Sequence, residues 1–138
     1  MEQLAVEIVG LCREYGECRV EVERMEEVRR VKNALESVCV EVGQRLDISD
    51  PALLVALLDA YEVTRDEGLL QEVLDVVGGN LDRLAVSAES VKLLAYCYYY
   101  VEEEECAGMA REMLEELRKM GRGEEELADA ETILEELT

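Results

Sequence analysis

Apolar residues recur at three- and four-residue intervals through nearly every segment of this chain, and only a helix turns that spacing into one continuous face. Leu4, Ala5, Ile8, Val9 and Cys12 make a first stripe, closed by Tyr15, with Gly16 as its expected stop. A longer stripe through Met25, Val28, Val31, Leu35, Val38, Cys39, Val42 and Leu46 predicts a helix of up to about seven turns. Two stretches, Arg19-Val20-Glu21-Val22-Glu23 and Val38-Cys39-Val40-Glu41-Val42, alternate with strand period and admit a two-strand excursion. The helical stripe runs unbroken through the second of them, which favours helix there.

Punctuation sharpens after residue 47. Asp50 before the single proline, Pro51, is a good N-cap with proline at the first helical position, and Leu53, Leu54, Leu57, Leu58 and Tyr61 follow as an apolar face. Thr64-Arg65-Asp66-Glu67 reads as a capping box, with the Thr64 hydroxyl satisfying the Glu67 amide. Leu69, Leu70, Val73, Leu74 and Val77 continue to a stop at Gly78-Gly79-Asn80. A short helical turn over residues 81–86 is expected to lead to Ser87 or Ser90, either of which can cap a helix running through Val101. The glutamates at 102–105 mark the next start, since negative charge is favoured where helix amides point outward. Cys106, Met109, Ala110, Met113, Leu114 and Leu117 carry that helix to Met120, where Gly121 and Gly123 break it. Leu127, Ala130, Leu134 and Leu137 form a terminal amphipathic helix.

Composition narrows the function. Among 138 residues there are 34 carboxylates, 14 basic side chains and no histidine, for a net charge of -20, while 49% of residues are hydrophobic. Missing histidine removes the usual general base and the commonest transition-metal ligand. Ser-His and Cys-His nucleophile pairs are therefore impossible, and no Gly-rich phosphate loop with a following lysine is present. No carboxylate pair stands out for acid–base chemistry, so the chain is expected not to be an enzyme and to need no cofactor. The five cysteines (Cys12, Cys18, Cys39, Cys97 and Cys106) form no CxxC pair and read as reduced core thiols rather than a metal site. No apolar run is long enough to span a bilayer, and Met1-Glu2-Gln3 opens no basic leader, so a cytoplasmic protein is expected. Glutamate far outnumbers aspartate, which suits helices and gives a thermophile-like composition.

Two helical hairpins can be overlaid. In the leading helices Leu57 and Tyr61 match Leu94 and Tyr98 at an offset of 37. In the trailing helices Glu72-Val73-Leu74-Asp75 and Val77 match Glu112-Met113-Leu114-Glu115 and Leu117 at an offset of 40, with three inserted residues assigned to the inter-helix turn. Leu127 and Leu134 continue the series against Val91 and Tyr98. Over residues 51–137 the pattern resembles tetratricopeptide-type and related α-solenoid arrays. Ala95, with Ala107 or Ala110, fits the small positions of that family; Leu58 and Leu70 depart from them, and the period exceeds the family's 34 residues. The resemblance implies stacked antiparallel hairpins that hold a protein partner on rows of side chains. A single irregular bundle of about six to eight helices accounts for the same stripes.

The feature most open to a functional reading is Tyr96-Cys97-Tyr98-Tyr99-Tyr100. On a helical wheel Val91, Leu94, Tyr98 and Val101 share one face, with Ala95 and Cys97 at its margins. Tyr96, Tyr99 and Tyr100 project from the other, beside Lys92 and Leu93. A helix apolar on both sides is either central in its fold or presents one side to a partner, and tyrosine supplies contact area with a polar tip. The glutamate clusters at 102–105, 112/115/116, 124–126 and 131/135/136 read as solvated helix surface, with a hard cation as the alternative ligand. Arg24, Arg29, Arg30 and Lys32 lie among Glu21, Glu23, Glu26 and Glu27 at helix-pair spacing and read as intrahelical ion pairs. The remaining negative field opposes nucleic acid.

The expectation is thus one all-α domain over residues 1–138: an N-terminal helical hairpin (1–48), then stacked hairpins and a C-terminal helix (49–138). Its expected role is a non-enzymatic interaction module that binds a protein partner through Lys92, Leu93, Tyr96, Tyr99 and Tyr100. The alternatives are a homodimeric structural bundle, or an acidic protein for basic partners or divalent cations.

Overall fold

Residues 2–18, 25–42, 46–121 and 124–137 are described by the computed structural model; the other residues, and the side chains of Glu2, Gln3, Leu4, Cys18, Met25, Val42, Glu124 and Glu126, lie outside that description, and with them the alternating stretch at 19–23, Arg24 and Gly123. Among the described residues the fold is all-α, with seven α-helices, one 3-10 turn and no strand. The helices are α1 (Glu2–Cys18), α2 (Met25–Val42), α3 (Pro51–Thr64), α4 (Glu67–Gly78), α5 (Ala88–Val101), α6 (Glu104–Lys119) and α7 (Glu124–Leu137), with the 3-10 turn at Leu81–Arg83.

Most boundaries follow the punctuation. Asp50 accepts the Leu53 amide at 3.3 Å with Pro51 at the first helical position, and Ser87 accepts the Ser90 amide at 3.1 Å. At the end of α6, Gly121 takes φ +68, a left-handed conformation that glycine adopts without a Cβ penalty. The alternating stretch at 38–42 lies inside α2, so the helical stripe outweighs the strand period there.

Three expectations need correction. Gly16 does not stop α1, which continues to Cys18; an interior glycine costs only about 1 kcal/mol, and packing on α2 and α3 outweighs it. The α4 cap is Asp66, not Thr64: Asp66 Oδ1 accepts the amides of Gly68 at 3.0 Å and Leu69 at 3.4 Å, while Thr64 still belongs to α3. The three-residue insertion is not at the inter-helix turn, because α3–α4 and α5–α6 are both joined by two residues (Arg65-Asp66 and Glu102-Glu103); the difference lies in α6, which is longer than α4.

The chain divides into two units, Met1–Gly78 and Gly79–Thr138. In the first, α3 packs against α1, α2 and α4, so the helix grouped by sequence with the later hairpins belongs with the N-terminal pair. It buries Leu53, Leu54, Val55, Ala56, Leu57, Leu58, Ala60 and Tyr61, covering almost its whole circumference, and these meet a core that includes Ile8, Val31, Leu35 and Val73. In the second unit α5 packs against α6 and α7, and α6 against α7. Its core holds Val91, Leu93, Leu94, Ala95, Cys97, Ala107, Ala110, Leu117, Ala130 and Leu134. Alanines at 95, 107, 110 and 130 present no side chain beyond Cβ, which permits close helix approach.

Candidate functional site

α5 is held at its start by serine side chains and at its end by a backbone bond. At its start the buried Ser90 hydroxyl donates to the Ala85 carbonyl, and the Ser87 hydroxyl donates to Ser90 Oγ at 3.0 Å. At its end Glu102 takes φ +53, and its amide donates to the Tyr98 carbonyl at 2.7 Å. The chain therefore turns sharply after Val101 and re-enters helix at Glu104.

Between those ends the predicted residues separate. Leu93 is fully buried, so it belongs to the core rather than to a presented face; α5 is packed by two helices, and the wheel alone underestimates how much of it they cover. Tyr96 and Tyr100 are half-buried, and Tyr99 is 55% exposed. The Tyr99 and Tyr100 rings meet edge to face, with centroids 5.2 Å apart and planes at 79°. Val101, placed by its register on the core face, is 41% exposed at the same helix end.

Lys92 is mostly enclosed, with 17% of its side chain exposed, and it links α5 to α7: Nζ lies 2.7 Å from Asp129 Oδ2 and 3.3 Å from Glu89 Oε1. Burial works against its charge, but the hydrogen bond it donates to Asp129 and the two carboxylate charges outweigh burial and raise its pKa. Lys92 is thus an internal tie, with its charge already answered.

Sequence reading missed the corner between α5 and α6. Tyr98 donates to Glu104 Oε1 across the turn, a long bond of 3.4 Å, and Glu102, Glu103, Glu104 and Glu105 are all exposed. The charge of Glu104, then burial, then that hydrogen bond raise the Tyr98 pKa, opposed by the charge of Arg111. A tyrosine followed six residues later by glutamate occurs at five of the six tyrosines, so that spacing alone does not single out Tyr61/Glu67 and Tyr98/Glu104.

The remaining chemistry-bearing groups are quiet. Cys39, Cys97 and Cys106 are buried free thiols, and Cys12 is half-buried. Burial and then the neighbouring Cys106 and Glu103 push the Cys97 thiol up to about 12; burial and then Cys12 push Cys39 up to about 12. Such thiols are protonated at neutral pH and make poor nucleophiles. In the basic cluster, Arg30 lies 3.9 Å from Glu27 on its own helix but makes its shorter bond, 2.8 Å, to Glu14 on α1. Among the described residues no group of three or more Cys, Asp or Glu side chains is arranged to hold a metal ion, and no helix is long and apolar enough to cross a membrane. Comparison with protein-family models, curated proteins and solved structures yields no match to this chain.

Proposed function

We propose that this chain is a non-enzymatic helical interaction module of the cytosol that holds a protein partner on the tyrosine-bearing side of α5. The observation that carries this reading is Tyr99: a 55% exposed ring set edge to face against Tyr100, on a helix that buries Val91, Leu93, Leu94, Ala95 and Cys97 in the core of its unit. An aromatic ring oriented by a neighbour loses little rotamer freedom on binding, which is why tyrosine is enriched at interfaces. Leu93 on the same helix is buried in the core, and Lys92 fixes the helix to α7. The net charge of -20 turns the surface away from polyanions.

Affinity capture from the native cytosol with wild-type and Tyr99→Ala baits tests the proposal. The expected result is a stoichiometric partner retained by the wild type and lost from a Tyr99→Ala chain of unchanged helix content. Equal retention by both baits removes the tyrosine surface from the interface. Light scattering on the same two proteins shows whether the partner is a second copy, which appears as a dimer that the substitution dissociates.

A further inference from the structure

The two units share a local construction, and two of its positions differ in the second. In the first unit α3 ends in Tyr61 and a left-handed Arg65; Tyr61 donates to Glu67 at 2.7 Å. The Arg65 guanidinium sits 5.8 Å over the Tyr61 ring and 3.3 Å from Glu62, so ring, carboxylates and cation satisfy one another. In the second unit α5 ends in Tyr98 and a left-handed Glu102, with Glu104 where Glu67 stands. The ring and the Glu104 carboxylate are in place, but Tyr99 stands where Glu62 pairs with Arg65, and the position of the cation is taken by Glu102, the first of four glutamates in a row.

No ion pair among the described residues engages Glu102, Glu103 or Glu105, whereas Glu14, Glu62, Glu89 and Glu131 each have a cationic neighbour. Arg111 lowers the Tyr98 pKa only as the smallest of five influences. The uncompensated charge adjoins the exposed apolar surface of Tyr99 and Val101. Glutamate is also a costly choice at φ +53, where glycine is the ordinary occupant.

From this internal comparison we propose that the α5–α6 corner receives an arginine from a basic segment of a protein partner. Its guanidinium takes the place over the Tyr98 ring that Arg65 holds over Tyr61, paired with Glu102 and its neighbours, while aliphatic residues beside it cover Tyr99 and Val101. This rests on the interaction-module reading and adds the chemistry of the partner. Arginine suits the corner better than lysine because its planar group both stacks and forks onto carboxylates.

The test uses a short peptide of arginine, leucine and serine, with versions in which every arginine is replaced by citrulline or by lysine. It is titrated into the full chain at about 0.15 M salt, where long-range attraction is screened. Binding is followed through the ring and amide resonances of Tyr98, Tyr99 and residues 102–105. Glu102→Arg supplies the cation internally, in a backbone setting that Arg65 already tolerates; Glu115→Arg makes the same charge change at an exposed site on α6, away from the corner. The expected result is loss of peptide affinity by at least about tenfold in Glu102→Arg and by less than about twofold in Glu115→Arg, in line with a desolvated charge-assisted contact. Lysine should weaken binding and citrulline abolish it. Equal losses in the two arginine variants, or shifts spread over the whole acidic surface, overturn the proposal as diffuse attraction. If Glu102→Arg unfolds the corner, the Glu103→Gln/Glu105→Gln double variant replaces it, and unchanged affinity there overturns the proposal equally. A natural partner that is lost on Tyr99→Ala but indifferent to both corner variants leaves the tyrosine surface standing and removes only the arginine. Indifference to Tyr99→Ala removes the underlying reading.

Discussion

The Tyr61 hydroxyl donates to Glu67 Oε1 at 2.7 Å, joining the last turn of α3 to the first residue of α4 across a two-residue link. Tyr61 is buried, so its ring packs in the core while its hydroxyl reaches the rim. Tyr98 and Glu104 repeat the relation at 3.4 Å, with a less buried ring. Tyr61→Phe is therefore expected to lower the thermal midpoint by about 3–5 °C, as loss of one good hydrogen bond does in a small unit. Tyr98→Phe should lower it by less, and Glu67→Gln, which keeps an acceptor oxygen, should fall between Tyr61→Phe and the wild type. Melting curves of the three variants check the order.

Arg65 and Glu102 end α3 and α5 at φ +55 and +53, where a Cβ is unfavourable. Glu102→Gly is expected to stabilise the chain by about 0.5–1 kcal/mol, since Glu102 has no ion pair among the described residues to lose. Arg65→Gly relieves the same strain but gives up the Glu62 pair and the contact over Tyr61, so its net effect should be close to zero. Urea denaturation midpoints of both variants measure the contrast. Equal gains would mean that the Arg65 contacts contribute nothing to stability.

These two residues also show where sequence reading reaches its limit. Asp50-Pro51, Ser87 and the stripes around Leu57 and Leu94 set the positions of α3 and α5, because each cap is a side chain acting on an amide two or three residues away. A left-handed cap made by arginine or glutamate has no comparable signature; the end of α5 at Val101 is legible only because the glutamate run marks the next start, whereas after α3 Thr64 reads as the α4 cap in place of Asp66. The helical wheel of α5 separates Tyr99 from Leu94, yet it cannot give Leu93 its burial, which depends on two other helices. Nor could the Tyr98/Glu104 corner be recognised before Tyr61/Glu67 was seen to form a bond.

Among the described residues four cysteines are free, and burial raises all of their pKa values: about 11 for Cys12, about 12 for Cys39 and Cys97, and upward for Cys106. In the unfolded chain a thiol titrates near its ordinary value of 9.0, so the folded chain holds these protons longer. Their contribution to stability is complete below about pH 9 and is lost as pH rises from there through the folded values. Thermal midpoints should fall between about pH 8 and about pH 10.5, and the fall should be smaller in Cys97→Ala, which removes one of the linked protons. A fall of the same size in the variant would assign the pH dependence to other groups.

Tyr99 and Leu94 lie five residues apart on one helix, yet they should answer truncation in opposite ways. Leu94 is fully buried, and Leu94→Ala is expected to cost about 2–5 kcal/mol, the transfer of its side chain plus the cavity it leaves. Tyr99 is 55% exposed and its ring meets Tyr100 edge to face, so Tyr99→Ala should cost less than about 1 kcal/mol. Tyr96→Ala and Tyr100→Ala, with half-buried rings, should fall between them. Partner binding should rank the residues differently: Tyr99→Ala should abolish it at nearly full stability, whereas a Leu94 variant should lose it only in proportion to unfolding. Denaturation and association measured on the same samples separate the two rankings. If Tyr99→Ala destabilises as much as Leu94→Ala, the ring is part of the core, and the surface proposed for the partner loses its central residue.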